Sequence, residues 1–234
     1  MKLGIMQPYF FPYIGYWQLI NLVDVYVIYD DVNFIKKGWI NRNRILCNGK
    51  DLMINILLNK VSQNKLINEI YLVDDIIWKN KLLKTIENNY KKAPYFSNVM
   101  PLITEIILNK ENNLALYLFY SLVTISTYIG IKTKFLLSSH IDKNNSLKGE
   151  NKILEICKIL NTDTYINAIG GMELYSFDNF INNGINLAFI KTNEITYKQF
   201  NKEFVPNLSI IDVMMFNSKE EILKMLNAYT LISK

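Results

Sequence analysis

The sequence is poor in the residues on which several common classes of protein depend. It has one histidine, two cysteines, nine glycines and five prolines in 234 residues. Two cysteines cannot build a disulfide framework or a zinc site, and the lone histidine, His140, excludes any motif with two histidine ligands. The low glycine and proline contents, with half of the residues hydrophobic, exclude a disordered or collagen-like chain. The composition is that of a folded globular protein, and we expect no metal site.

The charge and hydropathy of the chain argue against further classes. Lysine and arginine number 26 against 21 acidic residues, and the net charge of +5 suits a small anionic substrate. It falls short of the clustered basic face of a nucleic-acid binder, so we expect no nucleic-acid partner. The uncharged run 112–131 contains Ser, Thr and Tyr and has leucines at helical spacing, which indicates a buried helix rather than a membrane span. Pro8 and Pro12 interrupt the apolar N-terminal stretch, and no small-residue cleavage site follows, so we expect a cytoplasmic protein without a signal peptide.

The order of apolar segments predicts an α/β fold. Segment 3–6 is a short apolar run typical of a buried strand, 14–23 has helical spacing, and 25–29 is rich in β-branched and aromatic residues. This order predicts a βαβ unit with parallel neighbouring strands. Helical spacing then dominates 76–130, and a second alternation of strands and helices follows. We expect a single α/β domain over 1–234, with a mostly parallel sheet, helices on its faces and 76–130 as a central helical layer or subdomain.

Shorter signals complete the predicted elements. Asn48-Gly49 indicates a β-hairpin with strands at 44–47 and 52–57, and Ser218 with Glu221 forms a capping box that opens a final helix. The remaining strands are expected at 69–73, 134–137, 164–167 and 187–190, and the remaining helices at 76–89, 98–108, 114–129, 150–160 and 173–182.

Arginine is nearly absent, and the two that occur stand two residues apart. All basic residues except Arg42 and Arg44 are lysines. If 41–47 is a strand, both arginine side chains emerge on one face. A planar guanidinium grips phosphate or carboxylate through two parallel hydrogen bonds, which lysine cannot reproduce. Together with Lys36 and Asn41, we interpret the pair as a diphosphate site; the alternative is two ordinary surface arginines.

An aromatic segment takes the place of the usual nucleotide-binding motifs. No P-loop or glycine-rich dinucleotide fingerprint occurs, whereas six of the nine residues 9–17 are aromatic and follow the first strand. Ligands bind at the carboxyl ends of strands in α/β sheets. The alternative, strongest for Phe10 and Phe11, is a hydrophobic plug between the first helix and the sheet. The candidate substrate-binding residues in this segment are Gln7, Tyr9, Tyr13 and Tyr16.

Three side chains are candidates for catalysis. Asp30 and Asp31 end the second predicted strand, where a carboxylate can bind a ribose, a metal or a substrate amine; the alternative is that both are solvated loop residues. His140 follows two serines at the end of another strand and is a candidate general base, although a single histidine is more often structural.

Four segments resemble the WbqC-like protein family. They are QPYFFPYIGY at 7–16, DVYV at 24–27 with Asp30, GWINRNR at 38–44 and LSIID at 208–212. The resemblance extends through essentially the whole chain. Members of this family are associated with bacterial O-antigen and related surface-polysaccharide gene sets, so the resemblance implies a role in making or decorating a sugar building block. The family frequently has an acidic residue at the position of His140, so the resemblance does not support catalysis by this histidine.

The residues and the resemblance together predict a transferase or ligase. It would form an amide on the amine of a nucleoside diphosphate amino sugar, with an amino acid such as glycine or another small acyl group as donor. Asp30 or Asp31 would accept the proton, because the amine attacks only when it is neutral. Tyr13-Ile14-Gly15-Tyr16 stands where adenylate-forming nucleotidyl transfer folds carry a His-x-Gly-His motif, so ATP is a candidate cofactor. The alternative is a noncatalytic sugar-nucleotide-binding or assembly protein of the same pathway.

Overall fold

Strands and helices alternate along most of the chain. The computed structural model describes residues 1–200 and 203–233. The strands are β1 (Lys2–Met6), β2 (Val25–Ile28), β3 (Arg42–Cys47), β4 (Lys50–Asn55), β5 (Leu58–Asn59), β6 (Tyr71–Leu72), β7 (Lys134–Leu137), β8 (Thr164–Ala168), β9 (Asn186–Thr192) and β10 (Tyr229–Ser233). The α-helices are α1 (Ile14–Leu22), α2 (Ile76–Tyr90), α3 (Phe96–Leu108), α4 (Leu114–Ile129), α5 (Gly149–Ile159), α6 (Phe177–Asn182), α7 (Ile210–Phe216) and α8 (Lys219–Leu226).

A six-stranded sheet in the order β10-β9-β8-β1-β2-β7 forms the centre of the fold. All neighbouring strands are parallel except β10, which runs antiparallel to β9. Because α1 connects β1 to the parallel β2, the predicted βαβ unit and mostly parallel sheet are confirmed. The strand order reverses between β1 and β8, since β2 and β7 follow on one side and β8 and β9 on the other. The carboxyl ends of the parallel strands share one edge, where ligands bind in folds of this kind.

Helices cover both faces of the sheet, as the alternation of side chains along its strands requires. Leu3 and Ile5 of β1 pack with Ile153 of α5 and Phe180 of α6 on one face. Tyr26 of β2 belongs to the apolar cluster on the other face, together with buried residues of α1, α2, α3, α4, α7 and α8. The α2–α4 region thus shares its core with the first helix of the βαβ unit.

The uncharged run 112–131 is mainly a buried helix, as predicted. Asn113 caps α4 by accepting hydrogen bonds from Ala115 N and Leu116 N, and Gly130 ends it in the left-handed region at φ 86°. Leu118, Leu122 and other apolar residues of α4 are inaccessible to solvent. In the part of the chain that is described, no helix is both long and apolar enough to cross a membrane.

Several element boundaries differ from their predictions, and two of these differences have a visible local cause. Asn48 and Gly49 both have positive φ, 52° and 79°, and form a two-residue hairpin turn, so β4 begins at Lys50 rather than at residue 52. The helix expected from residue 173 begins at Phe177, because Ile169–Leu174 forms a 3-10 helix and Ser176 caps α6.

Three of the described strands and α-helices have no counterpart among the predicted ones: α7, β10 and the two-residue strand β5. All seven residues of α7 are buried, so its sequence lacks the polar face from which a helical period can be recognised. β10 is a partly exposed edge strand, and its apolar residues follow the final helix without a strong turn signal.

Candidate functional site

A pocket of about 310 Å³ lies beside the loop that follows β1. Three of the predicted substrate-binding residues, Tyr9, Tyr13 and Arg44, line it. The full lining, which we call the aromatic pocket, is Tyr9, Pro12, Tyr13, Trp39, Asn43, Arg44 and Asn207. Its volume is at the lower end of the range for small-molecule sites and is sufficient for a base or sugar ring.

Asn43 shapes the loop that forms one wall of the aromatic pocket. Its buried side-chain Nδ2 donates to the backbone oxygens of Phe10 and Phe11 at 3.0 and 2.9 Å. Ser209 Oγ donates to the same Phe11 oxygen at 2.8 Å. Phe11 has φ 44°, an unusual value for a bulky residue, and these hydrogen bonds hold it there. The turn buries Phe10 and Phe11 completely, in agreement with the plug interpretation of these two residues.

The tyrosines of the same segment divide between pocket and core. Tyr9 is half-buried and Tyr13 is exposed, and both line the aromatic pocket. Tyr16 is 2% exposed, donates to the backbone oxygen of Gln7 at 2.9 Å, and has a pKa raised by burial. Gly15 lies beside them, and a Cβ at this position would require the side chains of Tyr13 and Thr192 to move. Tyr16 and the half-buried Gln7 thus lie outside the lining of the aromatic pocket.

Both arginine side chains approach the same indole. The guanidinium carbons of Arg42 and Arg44 lie 5.9 and 5.4 Å from the centroid of Trp39, which is 39% exposed. Arg42 donates to the backbone oxygens of Gly38, at 2.9 Å, and Lys37. Arg44 has only a long ion pair with Asp51, at 3.6 Å, and its buried Nε has no hydrogen-bond partner among the described residues. Arg42 therefore holds the loop that carries Trp39, whereas the guanidinium of Arg44 is partly exposed and lines the aromatic pocket.

The other two residues of the predicted diphosphate site lie outside the aromatic pocket lining. Lys36 is exposed in the loop before Trp39. Asn41 Nδ2 donates to the backbone oxygen of Ile56 at 3.2 Å and joins the start of β3 to the end of β4. The structure therefore brings Arg42 and Arg44 together and leaves Lys36 and Asn41 at the side.

At the end of β2, the carboxylate of Asp30 connects two strand ends. It is buried and accepts hydrogen bonds from Ser139 N at 2.9 Å and Ser139 Oγ at 2.6 Å. Asn68 Nδ2 is a more distant donor at 3.5 Å. Both carboxylate oxygens of Asp30 are thus occupied, and they hold the segment that follows β7.

Asp31 has charged partners instead. Its Oδ2 lies 2.8 Å from Lys143 Nζ and 3.0 Å from Lys152 Nζ, and the three side chains are 9%, 1% and 6% exposed. Burial alone would raise the pKa of Asp31, but hydrogen bonds from Lys143, Ser138 and Lys152 outweigh it and lower this pKa. Asp31 is therefore ionised at neutral pH and is a component of a buried ion-pair cluster.

A second and larger cleft, of about 590 Å³, opens next to this cluster. We call it the lysine cleft; its lining is Tyr29, Asp31, Val32, Asn33, Leu66, Asn68, Ser139, Asn145, Leu147, Lys148, Gly149 and Lys152. His140 is exposed in the 3-10 turn after β7 and is not part of this lining, although its neighbour Ser139 is.

Asp212, in the last of the family-like segments, is a structural carboxylate. It is fully buried in α7 and accepts hydrogen bonds from Tyr90 Oη at 2.8 Å, Tyr197 Oη at 2.6 Å and Gln199 Nε2 at 2.8 Å. Burial raises its pKa, and these hydrogen bonds offset the increase only in part. Ser209, just before α7, donates from its backbone nitrogen to Arg44 O at 2.8 Å. Because Ser209 also donates to Phe11 O, this segment fixes β3 against the loop that follows β1.

Sequence reasoning missed several residues of the two sites. Trp39 and Asn43 lie within the 38–44 motif, so the motif itself was a signal for them. Lys143 and Lys152 are more than 100 positions from Asp31 and carry no local signal.

Metal binding and nucleophilic catalysis by a cysteine can be tested directly against the described residues. Between residues 1 and 200 and between 203 and 233, no group of three or more His, Cys, Asp or Glu side chains is placed to hold a metal ion. Cys157 is inaccessible to solvent, and burial raises its pKa to about 12, so its thiol is protonated at neutral pH and does not act as a nucleophile.

The fold and the site together define a class of protein: an α/β protein with an aromatic and cationic pocket beside the loop that follows its first strand. The model of the WbqC-like protein family matches residues 7–224, so the chain belongs to this family and the resemblance is confirmed. A protein of Mycobacterium tuberculosis (strain ATCC 25618 / H37Rv), described as "Uncharacterized protein Rv1507c", is 27% identical over 219 residues, which cover 92% of this chain and 93% of that protein. No solved structure matches the chain.

Proposed function

We propose that the protein binds a nucleoside diphosphate amino sugar in the aromatic pocket and forms an amide on the sugar amine. The single observation that carries this proposal is the arrangement of Trp39 and Arg44 in one pocket, with an exposed indole and a partly exposed guanidinium whose ion pair with Asp51 is long, at 3.6 Å. Aromatic faces bind bases and sugars, and a guanidinium binds phosphate through paired donors.

The donor in this reaction is an amino acid, such as glycine, activated with ATP as its acyl-adenylate, or another small acyl group carried as a coenzyme A thioester. The amide C–N bond forms as adenosine monophosphate or the thiol leaves. The attacking amine must lose a proton, and Asp30 is our candidate acceptor. Its carboxylate is occupied by Ser139, so the proton would pass through the Ser139 hydroxyl, which lines the lysine cleft 2.6 Å from Asp30. The aromatic pocket and the lysine cleft both open at the same edge of the sheet, because their loops follow the neighbouring strands β1, β2 and β7.

A substrate screen tests the proposal. The full chain is incubated with nucleotide amino sugars, amino acids, acyl-CoA thioesters and ATP in all pairwise and three-way combinations, and products are detected by mass spectrometry. A sugar nucleotide heavier by one acyl group supports the proposal, and adenosine monophosphate released with it identifies an acyl-adenylate route. Turnover should fall in Asp30→Asn and in Ser139→Ala while sugar-nucleotide binding remains.

The occupied oxygens of Asp30 favour a second candidate, a noncatalytic sugar-nucleotide-binding protein of the same pathway. Saturable binding of a sugar nucleotide without product in any combination would select this candidate. Absence of both binding and product would reject both functions.

A further inference from the structure

We propose that the protein docks on an anionic membrane surface through one basic face that adjoins the aromatic pocket. We call it the basic face; its members are exposed or partly exposed, and they are Ile35, Lys36, Lys37, Trp39, Arg42, Arg44 and Met53. The proposal goes beyond the proposed function and does not require it, because lipid vesicles test the face without any sugar nucleotide.

Positive charge is concentrated in one segment of the chain. Segment 33–66 has seven basic residues and one acidic residue, Asp51, whereas the other 200 residues have 19 basic and 20 acidic residues. The net charge of +5 for the whole chain therefore hides a local excess of cations, which an anionic partner would neutralise.

A tight turn brings two of these cations to the surface. Gly38 N donates to Ile35 O at 3.3 Å, so Lys36 and Lys37 are the central residues of the turn, and both are exposed. Arg42 donates to the backbone oxygens of Lys37 and Gly38. This contact joins the turn to β3.

One side of the β3–β4 hairpin continues the same surface. Arg44 and Met53 are direct partners in the antiparallel register, so their side chains are on one side of the hairpin. Arg42, two positions before Arg44, is on that side as well. Both guanidinium groups lie within 6 Å of the Trp39 ring, and Trp39 follows the lysine turn directly. The turn and the hairpin thus form one surface with four cations.

One carboxylate compensates these four cations. Among the described residues, Arg44 is the one cation of segment 33–66 that has an ion pair, with Asp51 at 3.6 Å. The lining of the adjoining aromatic pocket contains no carboxylate. An exposed cation without a partner remains available to an anionic surface.

The carboxylates that flank the segment in the chain do not cancel this excess. Asp30 and Asp31 precede it and have the buried partners described above. Glu69 follows it and accepts from a backbone N–H next to Lys65 at 2.8 Å, so these two charges offset each other outside the basic face.

The apolar side chains of the basic face favour a lipid surface over a nucleic acid. Ile35 is 51% exposed, Met53 43% and Trp39 39%. Aliphatic side chains have no partner on a phosphate backbone, whereas they insert at the boundary between lipid headgroups and acyl chains. Tryptophan suits the same boundary, because its ring is apolar and its N–H is polar. Cations beside such side chains are typical of binding to anionic lipids.

Cosedimentation of the full chain with vesicles tests the proposal. One set of vesicles is pure phosphatidylcholine, and the other is an equal mixture of phosphatidylcholine and phosphatidylglycerol. We expect binding to the anionic mixture and none to the neutral lipid, with a decrease at high salt because ions screen the attraction.

Two variants locate the binding on the basic face. The double variant Lys36→Gln with Lys37→Asn should lower the affinity for the anionic vesicles about 25-fold, since each lysine near such a surface contributes about fivefold. Asparagine is chosen because Lys37 has φ 61°, a value that asparagine tolerates. Ile35→Ser should lower the affinity about tenfold by removing an inserted apolar side chain.

Lys158→Gln and Leu174→Ser are the matched controls. Lys158 is an exposed lysine in the last turn of α5, and Leu174 is 70% exposed at the end of a 3-10 helix, so they remove one charge and one apolar side chain outside the basic face. Both controls should bind the anionic vesicles as the parent does.

The proposal is overturned if the parent binds neither kind of vesicle or binds both equally. It is also overturned if the controls lose as much affinity as the variants of the basic face. Binding of a single-stranded oligonucleotide without binding of the anionic vesicles would overturn it as well, and would assign the face to a nucleic acid.

Discussion

The two clefts at the carboxyl edge of the sheet use their positive charges in opposite ways. In the aromatic pocket, the side chains of Arg44 and its ion-pair partner Asp51 are partly exposed and 3.6 Å apart. Arg44 Nε has no hydrogen-bond partner among the described residues. Beside the lysine cleft, the side chains of Lys143 and Lys152 are buried and in direct contact with Asp31. A cation held tightly by the protein contributes to folding, whereas one left with spare donors is available to a ligand. The comparison predicts that removing charge from the buried Asp31 cluster affects stability and that removing the guanidinium of Arg44 affects binding.

The largest effect is expected for Asp31→Asn. This substitution leaves two buried ammonium groups without a counter-charge, which costs about 3–5 kcal/mol of unfolding free energy. Urea denaturation measures the loss. Asp51→Asn is the matched control, because its exposed pair contributes about 0–1 kcal/mol. Equal losses in the two variants would show that the Asp31 cluster is no more important to folding than a surface pair.

A smaller effect, confined to binding, is expected for Arg44→Lys. Loss of the guanidinium fork should weaken the binding of a nucleoside diphosphate amino sugar by about 1.5–3 kcal/mol while the melting temperature stays unchanged. Arg42→Lys should instead lower both the affinity and the melting temperature, because Arg42 holds the backbone of Lys37 and Gly38. Calorimetry and thermal denaturation of the two variants measure these differences. Binding by both at the affinity of the parent would remove the phosphate assignment.

The same division between an effect on stability and an effect on binding is expected for two tyrosines of the segment that follows β1. Tyr16→Phe removes a buried hydrogen bond to Gln7 and should cost about 1 kcal/mol of stability with full affinity. Tyr13→Phe should reduce affinity or turnover without loss of stability, because Tyr13 is exposed in the aromatic pocket. The reverse result, with stability lost in Tyr13→Phe and affinity lost in Tyr16→Phe, would assign Tyr13 to the hydrophobic core and Tyr16 to the binding site.

The smallest effects are expected in the pH dependence of stability, with opposite signs for two buried carboxylates. The pKa of Asp31 is below its usual 3.8, so the contribution of this cluster is present above pH 3.8 and is lost as the pH falls below it. The pKa of Asp212 is raised, so its contribution is present below pH 3.8 and is lost as the pH rises through the folded-state pKa.

Urea denaturation from pH 3 to pH 7 detects both contributions. Asp212→Asn should remove the decrease in stability above pH 3.8 and leave the acid-side loss in place. A parent-like profile in this variant would contradict the assignment to Asp212.

Local patterns in the sequence were sufficient for the βαβ unit and the placement of both arginines near one another. The apolar run of β1 and the β-branched residues of β2 determine strands through a period that is visible over a few residues. Arg42 and Arg44 alternate with the buried Asn43 in β3, and this alternation brings both guanidinium groups to Trp39.

The lysine cleft could not be predicted in this way, because its contacts join distant positions. Asp31 and Lys152 are 121 residues apart, and only the folded sheet and α5 bring them together. For the same reason, sequence reasoning took Asp31 for a catalytic candidate, and its ion pairs became visible only in the structure. Tyr16 and Tyr13 have the same chemistry and are three positions apart, so only the path of the loop assigns one to the core and the other to the pocket.

The most direct test of the account is the intrinsic fluorescence of Trp39. Trp17 and Trp78 are buried and Trp39 is the exposed tryptophan of the three, so a base or sugar entering the aromatic pocket should quench its emission. Titration with UDP-glucosamine and its thymidine counterpart should give saturable quenching in the parent and in Trp78→Phe, and none in Trp39→Phe. Quenching that persists unchanged in Trp39→Phe, or no saturable change in the parent with either sugar nucleotide, would contradict the proposed role of the aromatic pocket.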